Sequence, residues 1–270
     1  MEKEYDLFLF CGQSNMAGRG ITSEEWPEEA PSITPGAGLE YRAISDPECL
    51  HPVQEPFGAE ENNPEGGIYE PGMKTGSLVT AFINAYYART LVPVIGISAS
   101  KGGSAIAEWQ GEDDCLSDAR MRLRRAEDYL KKEGIPIRHR FMLWCQGETD
   151  GDLGTEPAVY KEKFKRMLSQ VRESGIEACF LITIGQYNGR DGFDYSGIRH
   201  AQRELAEELA DVWLVCDDFY TMQSRGLMKD DFHYYQQAYN EVGTAAGNVA
   251  GQLAMQPEVL LMSGQGSQRF

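Results

Sequence analysis

Short apolar runs and longer segments with helical periodicity alternate along this chain of 270 residues. The apolar runs predict five strands, at residues 5–11, 92–98, 141–145, 178–184 and 212–216. The helical patterns predict helices at residues 78–89, 115–132, 158–172, 197–209 and 235–253. This alternation is typical of an α/β fold, in which helices cover both faces of a parallel sheet.

Two stretches lack this alternation. Residues 21–75 are rich in Pro, Gly and Glu and show little periodicity, and a connection of that length is either functional or mobile. We interpret it as an insertion that forms a wall of the substrate cleft. Residues 257–270 have the composition of a frayed C-terminal tail. The sequence therefore predicts one domain over residues 1–256, followed by the tail.

The acidic composition limits the partners of the protein. Its formal net charge of −17 argues against nucleic acid and anionic membrane surfaces as partners. No apolar stretch approaches the length of a membrane-spanning helix, and the first residues lack the features of a secretory signal, so we expect a cytoplasmic protein. The six cysteines form no CxxC pair, which favours reduced thiols over disulfides or a zinc site. We expect neither a metal nor a cofactor.

Polar residues follow four of the predicted strands. Ser14 lies in the turn after the first strand, and Gly102-Gly103 follows the second. Gln146 follows the third strand, and His233 follows the fifth. Because the carboxyl ends of parallel strands meet at one edge of a sheet, we expect these loops to form one site.

The residue types in these loops suit a hydrolase that acts on an acyl group. A serine hydroxyl such as that of Ser14 is a weak nucleophile and needs an adjacent base, for which His233 is the candidate. An imidazole in that role needs an acceptor that fixes its tautomer. Asp230, three residues before His233, is the first candidate for this acceptor, and Asp231 is the alternative.

The same loops contain hydrogen-bond donors for the oxyanion of a tetrahedral intermediate. The candidate donors are the amides of Ser14 and Gly103 and the side chain of Gln146. Each residue also has an ordinary structural interpretation, because serine is a common helix N-cap and a glycine pair a common turn. Their occurrence together at one sheet edge favours catalysis.

Four sequence blocks resemble a known family. They are GQSNMAGRG at residues 12–20, Gly102-Gly103 with Trp109, WCQGETD at residues 144–150, and Asp230-x-x-His233. These blocks are similar to those of sialate O-acetylesterases and acetylxylan esterases, a branch of the SGNH (GDSL-like) hydrolases. The resemblance implies a three-layer α/β/α, flavodoxin-like fold with a five-stranded parallel sheet. It also implies removal of acetyl groups from sugar hydroxyls.

The resemblance implies a role for each candidate residue. Ser14 would be the nucleophile, His233 the base and Asp230 its partner. The amides of Ser14 and Gly103 and the side chain of Gln146 would bind the oxyanion, with Gln146 in place of the asparagine of the wider superfamily. The substrate would be a small acetylated carbohydrate, and four residues are expected to contact it: Gln13, Asn15, Trp109 and Glu148.

Two other functions fit parts of the pattern. A lipid or thioester hydrolase of the same fold would need an apolar acyl channel, and the polar, acidic insertion argues against one. A non-catalytic carbohydrate-binding protein would keep cleft aromatics such as Trp109, Tyr69 and Trp26, but it would not need all three triad positions. The pattern specifies neither the sugar nor the oligomeric state.

Overall fold

A computed structural model describes residues 3–111, 114–190 and 192–256. Its strands are β1 (Tyr5–Gly12), β2 (Gly38–Arg42), β3 (Asp46–Pro52), β4 (Val94–Ser100), β5 (Ile137–Cys145), β6 (Ala178–Ile182) and β7 (Val212–Cys216). Its α-helices are α1 (Ser14–Ala17), α2 (Val79–Thr90), α3 (Cys115–Lys132), α4 (Glu148–Asp152), α5 (Pro157–Glu173), α6 (Ser196–Glu208), α7 (Phe219–Met222) and α8 (Gln236–Ala254), and Ile106–Glu108 form a 3₁₀ turn. The predicted tail at 257–270 lies outside the described residues.

The strands form one sheet in the order β3-β2-β4-β1-β5-β6-β7. All neighbouring pairs are parallel except β2 and β3, which form an antiparallel hairpin. The five strands predicted from the sequence are β1, β4, β5, β6 and β7, and their order in the sheet is the flavodoxin-like order. The predicted α/β class and topology are therefore confirmed.

The expected number of strands was too small, because the sheet has seven strands rather than five. Both additional strands come from the insertion at residues 21–75 and extend the sheet beyond β4. Strand β3 lies at the edge, and none of its residues is fully buried. Its mixed polar sequence, DPECLHP, therefore lacks the continuous apolar run by which the interior strands were found.

Two apolar cores lie on opposite faces of the sheet. Side chains of β1 alternate between them, with Leu7 and Leu9 on the face covered by α3, α5 and α6. Phe8 and Phe10 point to the other face, which α2 and α8 cover. This alternation follows from the two-residue period of a strand and establishes the three-layer α/β/α arrangement.

The predicted boundaries of the long elements lie within two residues of the observed ones, with the exception of β5. That strand begins at Ile137, four residues earlier than predicted, because residues 137–140 are only half-buried and carry two arginines and a histidine. None of the helices in the described residues is long and apolar enough to cross a membrane. The described cysteines are all free thiols, as expected.

Candidate active site

The turn after β1 places Ser14 at the carboxyl edge of the sheet. Gly12 has a φ of +146°, and a Cβ there would lie 2.0 Å from the carbonyl oxygen of Cys145. The close approach lets the Gln13 amide donate to that carbonyl at 3.0 Å. Ser14 then begins the short helix α1 and is 6% exposed. Its side chain borders a cavity of about 320 Å³.

His233 borders the same cavity from the loop before α8. Its Nδ1 lies 3.0 Å from both carboxylate oxygens of Asp230. Oδ1 of Asp230 also accepts hydrogen bonds from the backbone amides of Phe232 and His233, at 2.9 and 2.7 Å. The structure thus places Asp230, rather than Asp231, against the ring; the carbonyl of Asp231 accepts from the Asn188 amide instead.

The contacts of Asp230 keep it ionised. Burial raises the pKa of this carboxyl, but hydrogen bonds from the His233 ring and from the Phe232 and His233 amides outweigh burial and hold the pKa well below its usual range. The charge therefore fixes Nδ1 as the protonated nitrogen of a neutral ring and leaves Nε2 as the basic one.

Ser14 and His233 share the cavity without a direct hydrogen bond between their side chains in the described structure. Contacts between a nucleophile and its base are often long in a free enzyme and shorten when substrate binds. The two side chains come from loops that are more than two hundred residues apart in sequence, and the sheet topology brings them together.

Two of the residues that line the cavity, Ser14 and Gly103, have backbone amides that are unpaired within the described part of the chain. Gly103 has a φ of +69°, and its α-carbon faces open space. The amides of Ser14 and Gly103 have no acceptor among the described residues, and both residues line the cavity. The adjacent Gly102 amide is engaged, because it donates to Oε2 of Glu70 at 2.7 Å. Both amides are therefore unpaired next to the cavity, and their role as oxyanion donors stays a prediction.

The structure does not place Gln146 as an oxyanion donor, contrary to the expectation from sequence. Its side chain is fully buried and does not line the cavity. Nε2 donates to the carbonyl of Ser104 at 2.9 Å and to Oδ2 of Asp150 at 2.6 Å, so both amide hydrogens are used. Gln146 instead connects Ser104, the residue after Gly103, with Asp150 of its own sequence block.

Two of the four expected substrate contacts are also wrong, because their side chains point into the protein. Asn15 is fully buried, and its amide donates to Glu148 at 2.5 Å and to the carbonyl of Phe232 at 3.1 Å. Trp109 is fully buried, packs edge-on against Trp144 and donates to the hydroxyl of Ser104. Both side chains therefore contact residues next to the cavity and do not border the cavity themselves.

The other two expected contacts, Gln13 and Glu148, do line the cavity. Oε1 of Gln13 accepts from the amides of Gly147 and Thr149, at 3.0 and 3.3 Å. Glu148 is 3% exposed. Burial raises its pKa, and the hydrogen bond from Asn15 opposes that rise only in part.

The sequence did not identify every residue at the cavity. Arg19, Glu70, Met73, Thr149, Asp152 and Phe232 also line it. Arg19 lies within the first sequence block, GQSNMAGRG, so the sequence could have identified it as a candidate site residue. Glu70 and Met73 come from the insertion, where no periodicity or motif marks them. Their position agrees with the interpretation that the insertion walls the cleft.

Potential metal ligands cluster elsewhere in the described residues. Asp46, Cys49 and His51, at β3, have ligand atoms 3.2 to 3.3 Å apart and hydrogen-bond one another. None of them borders the cavity that contains Ser14. A second cavity, of about 760 Å³, lies between the insertion and α3 and contains none of the motif residues.

Comparisons with sequence families and with solved structures found proteins similar to this chain. The sequence profile of the family described as "Carbohydrate esterase, sialic acid-specific acetylesterase" matches residues 4–251. That match covers all four sequence blocks and most of the described fold. Comparison with curated protein sequences found no match.

Solved structures share the fold at low sequence identity. A protein from Arabidopsis thaliana superposes with a TM-score of 0.69 and 21% identity, over 92% of this chain and 97% of the other. NanS superposes with a TM-score of 0.58 and 17% identity, over 93% of this chain and 98% of its own. A carbohydrate acetylesterase from Xanthomonas citri gives 0.56 and 17%, over 91% of this chain and 56% of that protein.

Proposed function

Because the chain belongs to the carbohydrate esterase family of sialic acid-specific acetylesterases, and is thus a carboxylic ester hydrolase, we propose that it removes O-acetyl groups from carbohydrates through an acyl-enzyme. Ser14 is the nucleophile, His233 the base and Asp230 the group that orients the base. Its substrate is an acetylated xylo-oligosaccharide or an acetylated sialic acid.

In the first step Nε2 of His233 takes the proton of Ser14 as the hydroxyl oxygen attacks the acetyl carbonyl. The tetrahedral intermediate collapses when the bond to the sugar oxygen breaks, and the imidazolium gives its proton to that oxygen. In the second step His233 takes a proton from water, which attacks the acetyl-enzyme. Acetate leaves, and the proton returns to Ser14.

The amides of Ser14 and Gly103 stabilise the oxyanion in both steps. Both are free of other acceptors among the described residues and border the cavity. The positive φ of Gly103 is the conformation in which a side chain is strained, so glycine keeps this amide at the cavity at no steric cost. These two donors replace the three that the sequence led us to expect.

One observation carries the proposal. Three separate loops bring a hydroxyl, a carboxylate-bound imidazole and an unpaired amide to one cavity of about 320 Å³. A cavity of this size is at the small end of ligand sites, which suits an acetyl group better than a long acyl chain. A binding protein would have no need for the contact between Asp230 and His233.

The test is hydrolysis of p-nitrophenyl acetate, p-nitrophenyl octanoate and an acetylated xylo-oligosaccharide by the wild type and by Ser14→Ala. We expect acetate release by the wild type and loss of at least a thousandfold in the variant. Ser169→Ala, at an exposed serine on α5, is the matched control and should retain full activity. Preference for the octanoate would favour a lipid or thioester hydrolase, and inactivity of the wild type on all three would favour a binding protein.

A further inference from the structure

Acidic side chains dominate the wall of the active-site cavity. Among the described residues that line it, Arg19 is the only lysine or arginine, whereas Glu70, Glu148 and Asp152 contribute carboxyl groups. This distribution of charge affects which leaving groups can bind. A charged leaving group in a partly buried cavity interacts with these carboxyl groups far more strongly than it would in bulk water.

The guanidinium of Arg19 is already neutralised. Its Nη2 lies 2.6 Å from Oε2 of Glu70, its Nη1 donates to the carbonyl of Gly18 at 3.2 Å, and both charged side chains are 8% exposed. A substrate carboxylate that bound Arg19 would lie close to the Glu70 carboxylate, and repulsion between the two anions in a partly buried cavity opposes this binding. If it displaced Glu70, it would leave that buried carboxylate without its cation and would free the Gly102 amide, which donates to the same Glu70 oxygen.

The cavity wall also contains hydrogen-bond acceptors without donors. Oε1 of Glu70 and Oε2 of Glu148 are shielded from solvent and have no hydrogen-bond partner among the described residues. Buried polar atoms in folded proteins nearly always have a partner, so these two oxygens, both on side chains that line the cavity, are unused acceptors next to it. Sugar hydroxyls donate hydrogen bonds, whereas an ionised carboxylate only accepts them.

The excess of negative charge does not depend on the state of Glu148. Burial raises the pKa of that carboxyl, so it is the one most easily neutralised. If Glu148 is protonated, Glu70 still pairs with Arg19, and Asp152 still gives the lining residues a net negative charge while the His233 ring is neutral. Lys74, which also interacts with Glu70, does not line the cavity. The wall therefore disfavours an anion with either form of Glu148.

We infer that the cavity selects an uncharged, polyhydroxylated sugar as leaving group and discriminates against acetylated sugars that carry a carboxylate, such as sialic acids. The inference rests on the proposed acetylesterase function and concerns its substrate class. Of the two substrate types, it assigns the neutral one, acetylated xylo-oligosaccharides, to this enzyme.

The test uses pairs of acetyl esters that differ only in one charge. An O-acetylated N-acetylneuraminic acid is compared with its carboxyl methyl ester, with initial rates of acetate release as the readout. A second pair, p-acetoxybenzoate and its methyl ester, allows the same comparison without any requirement for sugar recognition. Hydrolysis of p-nitrophenyl acetate, measured alongside, reports the proposed esterase function separately from the charge preference.

We expect kcat/KM for the neutral member of each cleaved pair to exceed that of the anion by about tenfold, after correction for the spontaneous hydrolysis rates. Added salt should reduce the difference, because it screens the charges. In Glu70→Gln and, independently, in Asp152→Asn, the ratio should fall severalfold. Glu65→Gln removes the same charge from an exposed position of the insertion and should leave the ratio unchanged.

Equal or faster turnover of the anions by an active enzyme would overturn the inference. So would a neutral preference that both charge-removing variants and added salt leave intact, because shape rather than charge would then cause it. Ratios within one variant are independent of a general loss of activity, so partial damage to the Gly102 contact in Glu70→Gln does not affect the result. Inactivity on p-nitrophenyl acetate would instead refute the esterase proposal.

Discussion

The contact between Asp230 and His233 allows a quantitative prediction for Asp230→Asn. The substitution removes the charge beside Nδ1 but keeps an oxygen that can accept from the backbone amides of Phe232 and His233, as Oδ1 of Asp230 does now. The loop should therefore keep its conformation, and the effect should fall on catalysis rather than on folding.

The size of the effect follows from the geometry. Both carboxylate oxygens lie 3.0 Å from Nδ1, and the side chains of His233 and Asp230 are 21% and 39% exposed. At a charge separation of about 4 Å and an effective dielectric constant of about 40, the imidazolium loses about 2 kcal/mol of stabilisation. That alone corresponds to roughly thirtyfold in rate.

A second effect adds to this loss. The side-chain amide nitrogen of the introduced asparagine would donate to Nδ1 of His233 and so favour the tautomer with the proton on Nε2, which cannot accept the proton of Ser14. Together the two effects predict a decrease in kcat/KM of about a hundredfold to ten-thousandfold.

The assay is p-nitrophenyl acetate hydrolysis near neutral pH, together with the thermal unfolding midpoint. Asp231→Asn is the matched control, because it removes the same charge from the adjacent residue, and it should stay within about threefold of the wild type. A kcat/KM for Asp230→Asn within about threefold of the wild type would refute the role of Asp230. An equal loss in Asp231→Asn would show that net charge, rather than the contact, is responsible.

Two further predictions concern buried side chains around the site. Gln146→Ala leaves the Ser104 carbonyl unpaired and removes one of the three hydrogen bonds that the described residues donate to the Asp150 carboxylate. We therefore expect it to lower the free energy of unfolding by about 1–3 kcal/mol together with kcat; a fall in kcat at unchanged stability would instead support a direct oxyanion role. Burial lowers the pKa of Lys74 to about 8, whereas an unfolded lysine keeps its proton to about pH 10.4. The unfolded chain thus binds more protons between these values, so stability should rise with pH, by up to about 3 kcal/mol. Urea unfolding at about pH 8 and about pH 10 should show that Lys74→Met flattens this rise, and an unchanged slope would contradict the lowered pKa.

Local sequence determined the secondary structure of the interior strands and of the long helices. In a strand every second side chain, and in a helix about every 3.6th side chain, points to the same buried face. The apolar residues of these elements repeat with that period, and α3 and β7 have the predicted bounds, Cys115–Lys132 and Val212–Cys216. Strands β2 and β3 were missed because neither has a continuous apolar run: β3 is a partly exposed edge strand, and β2, between β3 and β4, contains Glu40 and Arg42 on either side of its buried Tyr41. An exposed strand needs hydrogen bonds from its neighbour more than it needs an apolar pattern.

The sequence by itself also indicated which loops border the cavity and named Asp230 as the first candidate to contact His233, with Asp231 as the alternative. That contact spans three residues and is local, whereas the flavodoxin-like strand order was implied by the resemblance of the four sequence blocks to a known family. Tertiary structure alone decided where the side chains of each block point. Gln146, Asn15 and Trp109 turn inward because buried acceptors behind the cavity take up their donors, and Glu70 reaches Arg19 and Gly102 across 51 and 32 positions. Spacing in sequence carries no information about such long-range contacts, because they depend on how the insertion folds against the completed sheet.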